Sequence, residues 1–218
     1  MLTSVIDAHE GRDIMSADIP NAFIQAHMPE TKPGGDRVIM KATGVLVDLL
    51  VALAPDTYGT YVVFENGKKV LYLEVLRALY GMLVASLLWY IKFTKDLKKI
   101  GFKFNPYDPC VANRKERGKQ HTIKFHVDDL MSSHIDPRVN DEFDVWLNKK
   151  YGAYGAVKCT RGKIHDYLGM KMDFTEKGKV KVDMSDYIES MVDDFPVEFK
   201  PEDIVASPAT EDLSLIHI

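Results

Sequence analysis

The sequence predicts an α+β fold built around an antiparallel sheet. Three observations carry that expectation. Asn66-Gly67 separates two short β-prone runs. Residues 122–127 alternate apolar and polar side chains and lead through Asp128-Asp129 into a second apolar stretch. Interspersed segments have helical spacing, without a strict βαβ repeat or a glycine-rich phosphate loop.

Along the chain, residues 14–24 are apolar except for a few positions that include Asp18 and Pro20. Pro20 lacks the N–H a central strand needs, so this segment reads as a strand ending at a turn or short helix, with Asp18 at the strand end. Residues 45–53 are apolar all round apart from Asp48 and read as a buried helix, broken by Pro55, Asp56 and Gly59. Residues 61–64 and 70–73 form a hairpin, because Asn66-Gly67 supplies both positive φ angles of a type I′ turn. Residues 83–100 keep helical spacing through Leu87, Leu88, Ile91, Leu97 and Ile100, with lysines on the remaining face and Gly101 as a stop. Residues 120–133 read as strand, acidic turn and return strand, with Ile123, Phe125 and Val127 on one side and Lys124 and His126 on the other. Residues 139–150 read as a helix, 163–181 as strands interrupted at Lys177-Gly178, and 184–195 as a further helix.

Composition bounds the function classes. With 218 residues, 46% hydrophobic and 28% charged, the chain suits a folded domain rather than a disordered or fibrous one. Its net charge of −4 does not advertise a polyanion binder. The distribution is uneven, however: residues 91–125 hold ten lysines and arginines against three acids, and residues 183–218 hold ten acids and one lysine. The basic middle fits either a solvated helix face or a surface against which a polyanion lies. The longest apolar run, residues 45–54, is half the roughly 20 residues of a bilayer crossing, and no secretory signal opens the chain, so a cytoplasmic or nuclear protein is expected. Cys110 and Cys159 lack CxxC or histidine pairing, which argues against zinc and suits a reducing compartment.

Asp128-Asp129 is the feature that asks for chemistry. Like charges about 4 Å apart at an effective dielectric near 20 cost roughly 4 kcal/mol. Two arrangements avoid that cost: both carboxylates point into water, or a divalent cation sits between them. Magnesium takes hard oxygen ligands and completes its shell with water and substrate phosphates. Asp18, at the end of a strand able to lie beside the Asp128-Asp129 hairpin, is the candidate third acid, although a cap or turn role fits it equally by itself.

Taken together and in order, Asp18-Ile19-Pro20-Asn21-Ala22-Phe23, Leu79-Tyr80-Gly81 leading to Trp89-Tyr90, Asn105-Pro106-Tyr107-Asp108, Val127-Asp128-Asp129-Leu130 and Tyr167-Leu168-Gly169-Met170 resemble the motif set of copia-type retrotransposon reverse transcriptases. The resemblance runs from about residue 13 to 195. It implies a right-hand polymerase palm with a ferredoxin-like antiparallel sheet, helices packed on one face, partial fingers and the start of a thumb near residue 184, within a reverse transcriptase domain over residues 1–195. Residues 196–218 would form an acidic, poorly ordered tail.

The same resemblance implies the site. Asp18, Asp128 and Asp129 would hold two Mg²⁺ or Mn²⁺ ions for nucleotidyl transfer. Phe23, Tyr80 and Gly81 would face the incoming nucleotide, with Phe23 beneath its sugar as a gate against ribose. His126, Leu168, Gly169 and Met170 would meet the primer end, and Lys92, Lys95 and Lys99 the nucleic-acid backbone. His126 stands where many members carry an aromatic, and Leu83-Val84-Ala85-Ser86 replaces a usual lysine and proline. Implied partners are an RNA or DNA template-primer, deoxynucleoside triphosphates and the protease, integrase and ribonuclease H segments of a Pol polyprotein, in a cytoplasmic virus-like particle or the nucleus. Because 17 residues precede Asp18, a fragment without the leading finger strands is expected. The alternatives are an inactive remnant and a nucleic-acid-binding module without turnover.

Overall fold

The computed structural model describes residues 1–29 and 37–195, so the expected acidic tail at 196–218 lies outside the described residues. The chain runs α1 (Leu2–Glu10), β1 (Asp13–Asp18), a 3-10 turn (Phe23–Gln25), β2 (Ile39–Thr43), α2 (Val45–Leu53), α3 (Pro55–Tyr58), β3 (Val63–Glu65) and β4 (Lys68–Glu74). It continues through α4 (Ala85–Lys99), β5 (Lys103–Phe104), β6 (Val111–Glu116), β7 (Lys119–His126), β8 (Asp129–His134) and α5 (Pro137–Tyr151). The described part closes with β9 (Lys158–Gly162), β10 (Ile164–Tyr167), β11 (Met170–Asp173), β12 (Lys181–Asp183) and α6 (Ser185–Asp193).

The main sheet has six strands in the order β5-β6-β7-β8-β1-β9, every pair antiparallel. Two three-stranded sheets accompany it, β10-β11-β12 and β2-β4-β3. The mixed architecture with antiparallel sheets is the one the sequence predicts.

The two faces of the main sheet are covered differently. On one, Met15, Ala17, Ile123, Phe125 and Leu130 meet Trp89, Phe93 and Leu97 of α4 and Phe143, Leu147 and Tyr151 of α5 in one apolar core. The aromatic rings interlock there: Trp89 and Phe93 stack at 5.4 Å, and Phe93 meets Phe125 edge-on at 5.0 Å. On the other face, Ile14 and Met131 pack under Ala8 of α1 and against Met172 and Phe174.

The helices obey local signals. Asp136 caps α5 by accepting from the Arg138 backbone N–H at 3.1 Å, and Pro137 opens its first turn. Gly101 follows α4 at φ 91°, the stop expected from sequence. The buried face of α4 is nevertheless turned from the expected one. Ala85, Trp89, Phe93 and Leu97 recur every four residues and are buried, whereas Leu87 and Ile91 are exposed. The larger apolar area of the two aromatics decides which stripe faces the sheet.

A second correction concerns α2. The helix forms, but only Val47 is buried, and Val45, Leu46, Leu49 and Leu53 are exposed. It rests on a three-stranded sheet through Ala42, Val47 and Leu71, which offers a surface for one stripe of the helix only. The hairpin expected at Asn66-Gly67 is present, with Glu65 opposite Lys68 and φ angles of 49° and 75° in the turn. The strands expected over 163–181 form, with the Lys177-Gly178 turn between β11 and β12, and a second, tight turn lies at Leu168-Gly169 between β10 and β11.

Phe93 is fully buried against Trp89, Phe125 and Tyr151. Phe93→Ala is expected to lower the unfolding free energy by about 3–5 kcal/mol, as measured by urea denaturation followed by circular dichroism.

Candidate active site

Register places the acids. In the β1–β8 pair Asp18 stands opposite Asp129, so both side chains leave the sheet on the same face. That face is the one under α1, because Ile14 and Met131, which share it, pack there, whereas Ala17 and Leu130 point into the helix-side core. On its other flank Asp18 stands opposite Lys158 of β9.

Asp128 occupies the two-residue turn between His126 and Asp129. Val127, the other turn residue, takes φ 54°, a conformation a β-branched side chain adopts only at a cost of order 1–3 kcal/mol. Two bonds hold the turn in place: the Trp89 indole N–H donates to the Val127 carbonyl at 2.6 Å, and the Ile19 N–H donates to the Asp128 carbonyl at 3.3 Å. The second ties the turn to the end of β1, where Asp18 sits.

The three acids share one field. Partial burial raises the pKa of Asp129, the negative charges of Asp128 and Asp18 raise it further, and His126 pulls it back. Burial likewise raises the Tyr80 hydroxyl, aided by the negative charges of Asp128 and Asp18 close by. Tyr167 is raised by burial and then by Asp129. Both phenols therefore keep their protons beside the carboxylates.

The residues expected at the nucleotide gather here. The Phe23 and Tyr80 rings lie 4.5 Å apart, on two loops joined by the Ala78 N–H donating to the Ala26 carbonyl at 3.0 Å. Ala26, Ala78 and Ala85 form a small apolar cluster beneath Phe23. Gly81, at φ 91°, lets the chain turn next to Tyr80.

Of the residues expected at the primer, His126 is exposed and shares the face of Asp129. Leu168 and Gly169 form a two-residue turn at φ 53° and 73°, the type I′ pattern, between Tyr167 and Met170. Met170 packs on the cluster beneath α1. A Cβ on Gly169 would come within 3.1 Å of the Tyr187 ring, and its φ of 73° is one that other side chains rarely adopt, so both features favour glycine.

The expected backbone lysines sit elsewhere. Lys92 and Lys99 bond Asp96 at 3.1 and 3.4 Å, alongside Lys150 at 3.3 Å and the Tyr151 hydroxyl at 3.0 Å. They belong to the helix layer, on the opposite side of the sheet from Asp18 and Asp129, and Lys95 is exposed on the same helix. The structure does not bring these three lysines to the carboxylates.

Sequence reading missed Lys158 and Lys124. Lys158 depends on the register of β9, which no local pattern encodes. Lys124 is buried, bonds the Ser4 hydroxyl and lies over the Tyr167 ring at 5.5 Å. Its only sequence signal is a charge on the alternating strand.

Carboxylate oxygens are the hard donors a Mg²⁺ or Mn²⁺ ion takes, and two of the three acids are directly opposed, so the donor chemistry at Asp18, Asp128 and Asp129 fits a divalent cation. Among the described residues, however, no group of three or more His, Cys, Asp or Glu side chains is gathered closely enough to hold a metal ion. The backbone register is in place while the side chains stand apart.

The family described as reverse transcriptase (RNA-dependent DNA polymerase) matches residues 57–206, more than half of the chain; the match includes Asp128 and Asp129 and begins after Asp18. A transposon Ty5-1 protein of Saccharomyces cerevisiae is 28% identical over 115 residues, which cover 53% of this chain and 36% of that protein. The chain thus spans about a third of the length of the curated relative it matches.

Because the folded chain holds Asp129 above the ordinary carboxylate pKa, its ionisation opposes folding, and that penalty is present above the raised pKa and gone below the ordinary one. Asp129→Asn is therefore expected to raise the melting temperature at pH 7, with the gain vanishing near pH 3, in thermal melts compared across pH.

Proposed function

Because the chain belongs to the reverse transcriptase (RNA-dependent DNA polymerase) family, we propose that it carries the polymerase site of a copia-type retrotransposon Pol protein and extends a primer with deoxynucleotides on an RNA or DNA template. The observation that carries this reading is the cross-strand opposition of Asp18 and Asp129, with Asp128 in the adjoining turn. The matched family region leaves Asp18 out, so the register of β1 against β8 is what adds it to the set.

In this reading the six-stranded sheet with α4 and α5 is the palm, the β2-β4-β3 sheet with α2 belongs to the fingers, and the thumb begins near α6. Asp18, Asp128 and Asp129 would hold two divalent cations, which would supply electrostatic stabilisation for an in-line phosphoryl displacement. The chain's own residues orient the substrates. Tyr80, protonated beside Asp128, presents its ring with Phe23 as an apolar wall for the nucleotide sugar. Gly81 allows the backbone to approach the nucleotide. The Leu168-Gly169 turn and Met170 meet the primer end, and His126 lies on the same face beside Asp129. Lys158 stands opposite Asp18 on the neighbouring strand. The remaining Pol segments complete the particle in which the template is copied.

Two measurements test the reading. Mn²⁺ titration followed by water-proton relaxation should show divalent-ion binding that Asp18→Asn and Asp128→Asn each weaken; unchanged binding in both variants would remove the metal site. In primer extension with Mg²⁺, Asp128→Asn should lower the rate by about 10²-fold or more. In the same assay Phe23→Val should raise ribonucleotide use relative to deoxynucleotide by about tenfold or more, since the wall beneath the sugar recedes.

A further inference from the structure

The loop that carries Phe23 leaves the end of β1 directly after Asp18 and has little of its own to hold it in place. Its one regular piece is the three-residue 3-10 turn Phe23–Gln25, closed by the Gln25 N–H donating to the Ala22 carbonyl at 3.1 Å and the Ala26 N–H to the Phe23 carbonyl at 2.9 Å. A turn this short has poor hydrogen-bond geometry and no length over which to cooperate. Where the Phe23 ring stands is therefore decided by what the loop is fastened to.

Three side chains fasten it. Gln25, 6% exposed, donates from Nε2 to the Pro20 carbonyl at 3.1 Å and to the Tyr151 carbonyl at 3.0 Å. Asn21 donates from Nδ2 to the Tyr154 carbonyl at 3.3 Å, and its φ of 53° is a left-handed conformation that asparagine tolerates. Arg77 donates to the Ile24 carbonyl at 3.2 Å, and its guanidinium lies over the Tyr154 ring at 5.5 Å. One of these bonds closes the loop on itself. The others tie it to the C-terminal end of α5 and to the segment leading to Tyr80.

The anchor is rigid and in need of donors. The last carbonyls of a helix have no partner within it, and the Tyr151 carbonyl ends α5. Tyr151 itself is fully buried, with its ring against Trp89 and Phe93 and its hydroxyl on Asp96. A 3-10 turn at Gly152–Tyr154 follows, and Gly155 lies so close to Pro20 that a Cβ there would meet the proline ring at 3.4 Å. On the other side of the loop, Phe23 rests on the cluster of Ala26, Ala78 and Ala85 and meets the Tyr80 ring at 4.5 Å. Phe23 is thereby held from two directions, by apolar contacts on one side and by the Gln25 amide on the other.

We infer that Gln25, Asn21 and Arg77 are positioning residues for nucleotide sugar selectivity, acting through the Phe23 loop by setting the distance between the Phe23 ring and the sugar of the incoming nucleotide. The inference rests on the reading in which Phe23 forms the wall beneath that sugar. Rejecting a ribonucleotide means excluding one hydroxyl group, so a shift of the wall by about an ångström is enough to admit it, and selective sites hold their geometry to within about 0.5 Å. An aromatic side chain on an unfastened loop does not meet that tolerance. Loosening the clamp therefore widens sugar choice more than it slows deoxynucleotide addition.

The test uses Gln25→Met, which keeps the length of the side chain and removes both donors. In amide hydrogen exchange followed by NMR, the Gln25 and Ala26 N–H groups should exchange about tenfold faster or more, while the amides of β1 and β8 keep their protection and report an intact sheet. In primer extension with Mg²⁺, the ratio of kcat/KM for deoxynucleotide over ribonucleotide should fall about three- to tenfold, mainly through a lower ribonucleotide KM. Arg77→Met should move the ratio the same way and serves as the second variant if Gln25→Met does not fold. The control is Gln120→Met, which removes a glutamine amide bonded to Asn113 at the far end of β7 and should leave the ratio unchanged. Unaltered exchange at Gln25 and Ala26 would overturn the clamp. So would an unaltered ratio in Gln25→Met beside a lowered one in Phe23→Val, or an equal fall in the Gln120→Met control. Phe23→Val without effect on the ratio would overturn the wall reading and with it the sugar role of the clamp. Amide exchange, which needs neither nucleotide nor metal, keeps that failure separate from a failure of the clamp itself.

Discussion

The two-residue turn at Val127-Asp128 is the constraint on which the rest depends. It fixes the register of β7 against β8, and through β8 the register of β1. Side chains alternate along a strand, so a slip of one residue would send Asp129 into the apolar layer and Leu130 out to the acidic face. The chain holds the turn despite the positive φ of a β-branched residue. Trp89 supplies the hold: fully buried between Phe93 and Tyr151, it also spends its one N–H on the Val127 carbonyl. The core that stabilises the fold is thereby the device that positions the acids.

The sheet separates two kinds of charge. On the helix side, a buried carboxylate is compensated: Asp96 has Lys92, Lys99, Lys150 and the Tyr151 hydroxyl around it. Burial pushes its pKa up, and these donors overcome that push and leave it lowered. On the other side, Asp7 is bonded by Ser133 and lies 3.6 Å from Arg12, while Lys124 bonds Ser4, so α1 is fixed to the sheet by polar contacts as well as by Ala8. At the strand end the pattern reverses. Asp18, Asp128 and Asp129 have phenols and one cross-strand lysine for company, and Asp129 is left with its charge opposed rather than supported.

Much of this was legible in the sequence, and the limits have physical causes. Every helix expected from periodicity or apolar content formed, and the Asn66-Gly67 hairpin formed as its turn chemistry demands. The acidic hairpin was readable because alternation in 122–127 fixes which side chains share a face. What sequence could not settle was which stripe of a helix wins its contacts. Leu87 and Ile91 compete with Trp89 and Phe93 at similar spacing, and only the area available on the sheet decides between them. For α2 an apolar composition signalled burial, but the supporting sheet has three strands and covers one side. At the candidate site Phe23 lies against Tyr80 and Asp18 stands opposite Asp129 with Asp128 in the adjoining turn, while Lys92 and Lys99, expected at the nucleic-acid backbone, are paired with Asp96. A lysine's partner depends on where the nearest buried acid falls, and Asp96, four residues after one lysine and three before the other, lies on the same helix.

That last point bears on how a protein with a net negative charge handles a polyanion. Counting lysines along residues 91–125 treats all ten basic residues as equal, yet the fold divides them. Lys92 and Lys99 neutralise Asp96, Arg114 is directed toward Glu116 and the Ile100 carbonyl, Arg117 joins β6 and β7 to α5, and Lys124 is buried under α1. Each of these is held by a contact inside the chain. Binding to phosphates gains from releasing counterions, and a lysine already paired with a carboxylate has few to release. The unpaired remainder includes Lys103, Lys115 and Lys119, which line one cavity at the far end of the strand that leads to Asp128 and Asp129. A single antiparallel hairpin, β7 to β8, thus has a positive entrance and a negative tip. The stretch of β7 between the two is covered by α1, which bonds Lys124 and Ser133 there, so the two ends are separate surfaces of one strand pair.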